Sequence, residues 1–216
     1  MRFLALIPMA VVGIQAAAIA STGEDGSAAP AEFVLPEGFV WGEAQWEVDV
    51  RPGEKISLNG TVEQVYAQLL EINPNWETDN AEQIAAGLAA LEDDKKAIAQ
   101  LAKRDHNECS SWNHGAYRYL IEDGIRYLWG INSRARISYG QCDRVSCSYD
   151  AAIWWCGFNH NTVEINQGYQ WIGHAANVLI QDPSCTFYDY MDFTPRVRGR
   201  RYHDNHVAVY VGYKAC

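Results

Sequence analysis

Six cysteines and their placement limit this chain more than any other feature. Cys109, Cys142, Cys147, Cys156, Cys185 and Cys216 all lie in the second half of the 216 residues, and none lies before Cys109. An even number of cysteines in a segment of this size reads as a framework of three disulfides made in an oxidising compartment. Fifteen pairings are possible, and the spacing selects none of them. No C-x-x-C pair occurs, so no metal is expected.

The N-terminus agrees with that compartment. Residues 1–20, MRFLALIPMAVVGIQAAAIA, join one basic residue, Arg2, to a short apolar run and a small-residue ending. The pattern predicts a secretory signal peptide cut after Ala20, and hence a secreted, extracellular protein. Pro8 and Gly13 interrupt the run, which argues against a membrane anchor.

Charge divides the chain where the cysteines do. Residues 1–104 carry 16 acidic and 7 basic groups, whereas residues 105–216 carry 11 and 10. All six histidines and eleven of the twelve tyrosines follow residue 104. At that break stands Lys103-Arg104, a dibasic pair that reads as a site for a kexin-type processing protease. The same cations also suit the C-terminal end of a helix dipole. The expected organisation is a signal peptide (1–20), an acidic pro-segment (21–104) and a mature disulfide-bonded domain (105–216). The overall net charge of −10 argues against a stable nucleic-acid partner.

Within the pro-segment, Trp46, Val48 and Val50 alternate before Pro52-Gly53, then Ile56 and Leu58 follow, which predicts a hairpin. Thr61 and Gln64 form a capping-box pattern ahead of Val62, Val65, Leu69 and Ile72, a helix that stops before Pro74. Asp79 and Glu82 open a second helix carrying Ile84, Leu88, Leu91, Ile98 and Leu101. Such a segment has structure enough to assist folding, or to cover the working surface of the mature part with its acidity facing arginine-rich loops. The sequon Asn59-Gly60-Thr61 is a candidate glycosylation site.

In the mature part, Asn113 is placed to cap a helix running to about Trp129, and Gly130 to end it. A loop with Arg134 and Arg136 follows, then one or two strands over 143–156. Gly168 to Gln181 reads as a second helix ended by Pro183, and Val207, Val209 and Val211 as one face of a final strand. The fold class is α+β: a two-layer α/β sandwich, an antiparallel sheet with two helices on one face, stapled by three disulfides and preceded by a small, mostly helical pro-segment.

This order, with the helix GYQWIGHAANVLIQDPSC, an Asn-containing turn and the closing HVAVYVGYKAC, resembles the fungal killer-toxin-like superfamily over about residues 109–216. That superfamily comprises small secreted α/β-sandwich toxins and necrosis-inducing-factor effectors. The resemblance implies a toxin or effector, released from a precursor, that acts on competing microbes or a host through a cell-surface component: a protein, an anionic lipid or a wall polymer. Before cleavage its partner would be its own pro-segment.

Candidate chemistry is sparse. Arg196, Arg198, Arg200 and Arg201 form a local positive patch suited to bidentate anion binding, with Tyr188, Tyr190, Phe193 and Tyr202 as adjacent contact area. The patch reads equally as a solvated loop. Trp154 and Trp155 point to opposite faces of a strand, and an outward Trp154 would serve binding. His174, His203 and His206, with Glu122 or Asp143, are the candidates for a ribonuclease-like hydrolase, the rival expectation. A non-toxic module binding wall glycan or a host protein is the third. No G-x-S-x-G elbow occurs, and no cofactor is expected.

Overall fold

Seven consecutive residues, Ala151–Gly157, are all buried, so the strand they form must be covered on both faces. The rest of the architecture follows from how that is done. The computed structural model describes residues 34–98, 106–109, 114–165, 167–190 and 192–216.

The N-terminal part contains β1 (Val40–Glu43), β2 (Gln45–Arg51), β3 (Glu54–Asn59), α1 (Val62–Ile72), the single turn α2 (Trp76–Asp79) and α3 (Ala81–Ile98). Strands β2 and β3 are the expected hairpin, and Trp46, Val48 and Val50 point inward as their alternation requires. Helix α1 starts where the capping box places it: the Gln64 side chain accepts the Thr61 backbone N–H at 2.9 Å. The second helix begins at Ala81, two residues later than Asp79, because Trp76–Asp79 forms its own turn.

The C-terminal part runs β4 (His106–Glu108), β5 (Ala116–Tyr117), α4 (Arg118–Gly130), β6 (Ala135–Ile137), β7 (Gln141–Ser148), β8 (Ala151–Gly157) and β9 (Val163–Ile165). It continues with α5 (Tyr169–Gln181), β10 (Thr186–Tyr188), β11 (Pro195–Val197), β12 (Gly199–His203) and β13 (Val207–Tyr213). Helix α4 starts at Arg118, after a two-residue strand; Asn113, its expected cap, lies outside the described residues. Helix α5 matches expectation at both ends.

Six strands form the main sheet in the order β1-β7-β8-β13-β12-β4. Its core face carries Ile153, Trp155, Val207, Val209 and Val211, which pack in one cluster with Ile121, Ile125 and Leu128 of α4 and Ile172, Ala176 and Leu179 of α5. The fold is thus α+β with three disulfides, but two expectations need correction. The sheet is not wholly antiparallel, because β1 pairs in parallel with β7. And β1 comes from the expected pro-segment: the hydrophobic core runs without a break from Trp46, Val65 and Leu69 to Trp155 and Ile172.

The opposite face of the sheet is covered too. Trp154, Ala208, Tyr210 and the paired Cys142 and Cys156 form a second cluster beneath Leu35, Phe39, Phe158 and Tyr202. Trp154 is therefore fully buried, not the outward ring expected, because chain from residues 35–41 closes over it.

The bridges are Cys109–Cys185, Cys142–Cys156 and Cys147–Cys216. The second joins directly opposed residues of β7 and β8, 14 apart in sequence, whereas the first spans 76. Loop-closure entropy values these at about 3 and about 4.5 kcal/mol respectively. Replacing the Cys109/Cys185 pair by alanine therefore lowers the unfolding free energy more than replacing Cys142/Cys156, as urea titration of the two double variants would show; the reverse order would contradict the entropic account.

Candidate functional site

Three of the most exposed large apolar side chains among the described residues sit on one hairpin. Strands β10 and β11 pair antiparallel, and β11 also pairs with β5. The loop between them lifts Tyr188, Tyr190 and Phe193 into solvent at 69, 94 and 76% exposure. Phe193 has φ +54°, a left-handed conformation rare for a bulky residue, which turns its ring outward at a local cost.

The loop is braced from behind. Arg196 Nε lies 3.0 Å from Asp189 Oδ2, and Arg196 Nη2 lies 3.1 Å from Asp192 Oδ2. The same guanidinium sits 4.0 Å over the Tyr117 ring, and the Tyr117 hydroxyl donates to Asp192 at 2.9 Å. Thr194 donates its hydroxyl and its backbone N–H to Asp192 Oδ1. These Thr194 bonds first, then Tyr117 and the Arg196 charge, hold the Asp192 carboxyl well below the usual range. Asp192 therefore keeps its charge through mildly acid conditions.

The arginines do not form the open patch expected. Arg196 lies on β11 and Arg200 and Arg201 on β12, with Arg198 between the two strands, and Arg196 and Arg200 are ion-paired within the molecule. Arg196 is only 15% exposed. Arg200 donates twice to Glu108 Oε2, at 2.8 and 2.5 Å. Arg201 donates to Asn107 at 2.7 Å, and Arg198 lies 4.3 Å over the Phe187 ring. Arg196 takes its acidic partners from the hairpin, and Arg200 takes its own from β4. Tyr202 is half-buried in the second cluster.

Each histidine has a different setting. His174 Nδ1 lies 2.5 Å from Asp94 Oδ1 of α3, and Asn177 donates to Asp94 Oδ2 at 2.9 Å. His203 lies against the Trp171 ring with centroids 4.1 Å apart. His206 is exposed in the turn before β13, with φ +58°. Of the proposed acids, Glu122 accepts from Arg118 and Asp143 from Gln141. Asn59 is exposed at the end of β3. Ala20, Lys103 and Arg104 lie outside the described residues. Among the described residues, Cys109, Asp182 and Cys185 approach a metal-like cluster, but both sulfurs are bonded to each other and Asp182 accepts from Asn107 and Ser184.

Two features escaped the sequence. One is a cavity of about 620 Å³ where α1, α2 and α3 meet α4, lined by Tyr66, Trp76, Leu88, Asp123, Tyr127 and Tyr149 among others. Tyr149 and Asp150 turn β7 into β8 with φ +46° and +63°, where glycine or asparagine is usual, and Tyr149 stands at the cavity rim. The other is Asp143, buried on β7 beside Gly42 of β1; a Cβ at Gly42 would fall 2.1 Å from its Oδ1. Asp143 is expected from the sequence only as a candidate acid, and its polar neighbours Gln141 and Arg144 give no sign that β1 will close over it.

No family model, curated protein or solved structure matches this chain. No helix among the described residues is long and apolar enough to cross a membrane.

Burial pushes the Asp143 carboxyl up to about 6, against the opposing hydrogen bond from Gln141. Its folded value lies above its unfolded one, so ionised Asp143 costs stability above pH 6, and that cost disappears as pH falls towards 4. Asp143→Asn should raise the unfolding free energy by about 3 kcal/mol at pH 7.5 and leave it nearly unchanged at pH 4. Equal effects at both pH values, read by urea titration, would show that the carboxyl does not titrate in this window.

Proposed function

We propose that this chain is the precursor of a secreted, killer-toxin-like effector whose C-terminal two-layer α/β sandwich binds a surface component of a competing microbe or host through the Tyr188–Phe193 loop. The observation that carries this reading is three large aromatic side chains held in solvent by a loop locked from behind. Rigid exposed aromatics are costly to solubility, and they supply contact area with little entropy to lose on binding. The three disulfides are consistent with secretion.

The loop chemistry narrows the partner class. Arg196 offsets only one of the two charges on Asp189 and Asp192, so the tip is apolar with a residual negative charge. That favours a surface protein or uncharged wall polymer over an anionic lipid, whose recognition relies on exposed cations. The hairpin is also open while residues 34–98 are in place, so those residues support folding on this reading and do not mask the contact surface. A histidine hydrolase has less support, because His174 is occupied with Asp94. Processing at Lys103-Arg104 stays part of the proposal.

The test applies purified, oxidised 21–216 to yeast, filamentous fungal, bacterial and plant cells, reading growth and dye leakage. Wild type should harm at least one class. Tyr190→Ser/Phe193→Ser should lose at least about tenfold in potency with an unchanged unfolding temperature. Unchanged potency would remove the loop from the mechanism. Binding that depends on the loop but leaves every cell unharmed would assign a non-toxic binding module.

A further inference from the structure

We infer that residues 34–98 are a lasting second subunit of the working molecule: once the chain is cut between residues 98 and 106, they stay bound to residues 106–216 without a covalent link. This rests on the proposed processing only for the position of the cut. All six cysteines lie in 109–216 and pair among themselves, so no bridge crosses the break and the non-covalent contacts must hold alone.

Those contacts are of core quality and fall on four N-terminal elements, β1, β2, α1 and α3. Strand β1 adds to the edge of the main sheet, with Val40, Trp41, Gly42 and Glu43 in register with Gln141–Arg144. On β2, Trp46 stacks on Tyr169 with centroids 3.6 Å apart and 16° between planes, and the Tyr169 hydroxyl donates to Gln45 O at 2.8 Å. The Glu47 N–H donates to Ser133 Oγ at 2.9 Å. On α1, Glu63 accepts from Ser146 Oγ at 2.5 Å and from the Cys147 N–H at 3.1 Å. On α3, Asp94 engages His174 and Asn177. Further along the same helix, Gly87 lies so close to α4 that a Cβ there would fall 2.0 Å from the Trp129 carbonyl oxygen.

A detachable leader meets its domain through a polar, separable surface; here fully buried Trp46, Val62, Val65 and Leu69 belong to the same cluster as Trp155 and Ile172. The cavity has the same dependence. Tyr66, Trp76 and Leu88 supply one wall and Asp123, Tyr127 and Tyr149 the other, so the cavity exists only while both parts are together.

The test uses the full chain with residues 99–105 lengthened by a site-specific protease sequence. After complete cutting, verified on a denaturing gel, the sample is run on native gel filtration at about 1 μM and followed by tryptophan fluorescence. Both fragments should co-elute at the mass of the uncut chain with an unchanged emission spectrum. Gly87→Ala, which improves helix propensity yet forces α3 off Trp129, should weaken the cut complex by about tenfold or more. Asp94→Ala, the milder variant, should weaken it while leaving the uncut chain folded. Separate elution of two fragments, or cut complexes of unaltered affinity in both variants, would overturn the inference. Since the readout is association and not harm to cells, its failure and the failure of the proposed target-binding loop are separate results.

Discussion

Strand β8 must be hidden on both faces, and most of the molecule answers that requirement. Its core-facing residues Ile153 and Trp155 meet α4 and α5. Its other face carries Ala152, Trp154 and Cys156, which two helices on one side cannot reach. Cover for that face comes from Leu35 and Phe39, far away in sequence, and from Phe158 and Tyr202. Recruiting chain from the N-terminal part brings β1 to the edge of β7, and this places the β2–β3 hairpin and its Trp46 against Tyr169. The seam between the two parts is therefore a consequence of sheet burial and not of a separate docking event.

Local patterns in the sequence were faithful because their causes are local. Alternation in 46–50 marks a half-buried strand, and the Thr61–Gln64 pair marks a helix start, whatever lies elsewhere. Helix α5 was readable for the same reason: a left-handed Gly168 before it, an apolar stripe within it and Pro183 after it. Two readings that needed a distant neighbour, the outward Trp154 and the open arginine patch, differ from the structure. Period-two alternation says that Trp154 and Trp155 face opposite ways, but not that both faces are covered. Four arginines in six residues look like an open anion site until Glu108, 92 positions away from Arg200, is placed beside them. The composition break near residue 104 is real as chemistry and yet is no boundary in packing, since the core crosses it.

The β10–β11 hairpin shows how an exposed element can be held by polar contacts without being buried. Its tip has no core beneath it. Its described residues are tied by charge and hydrogen bonds, in which Arg196 meets two carboxylates and an aromatic face, and Asp192 accepts from Thr194 and Tyr117. Arg196 and Arg200, used in this way, are less available to solvent than four arginines in six residues suggest. On the proposed reading, the groups left to meet a partner are the outward rings of Tyr188, Tyr190 and Phe193.

One consequence of the parallel β1–β7 pairing concerns solubility. As assembled, the main sheet ends in two short strands, the four residues of β1 and the three of β4, and short edges offer little template for another chain. Strip β1 away and the new edge is β7, eight residues long and carrying Val145 and Cys142 with their backbone groups on one side unsatisfied. Such an edge invites strand-to-strand stacking between copies. The N-terminal part thus acts as a guard against aggregation, and a C-terminal fragment made alone faces precipitation before any question of its activity arises.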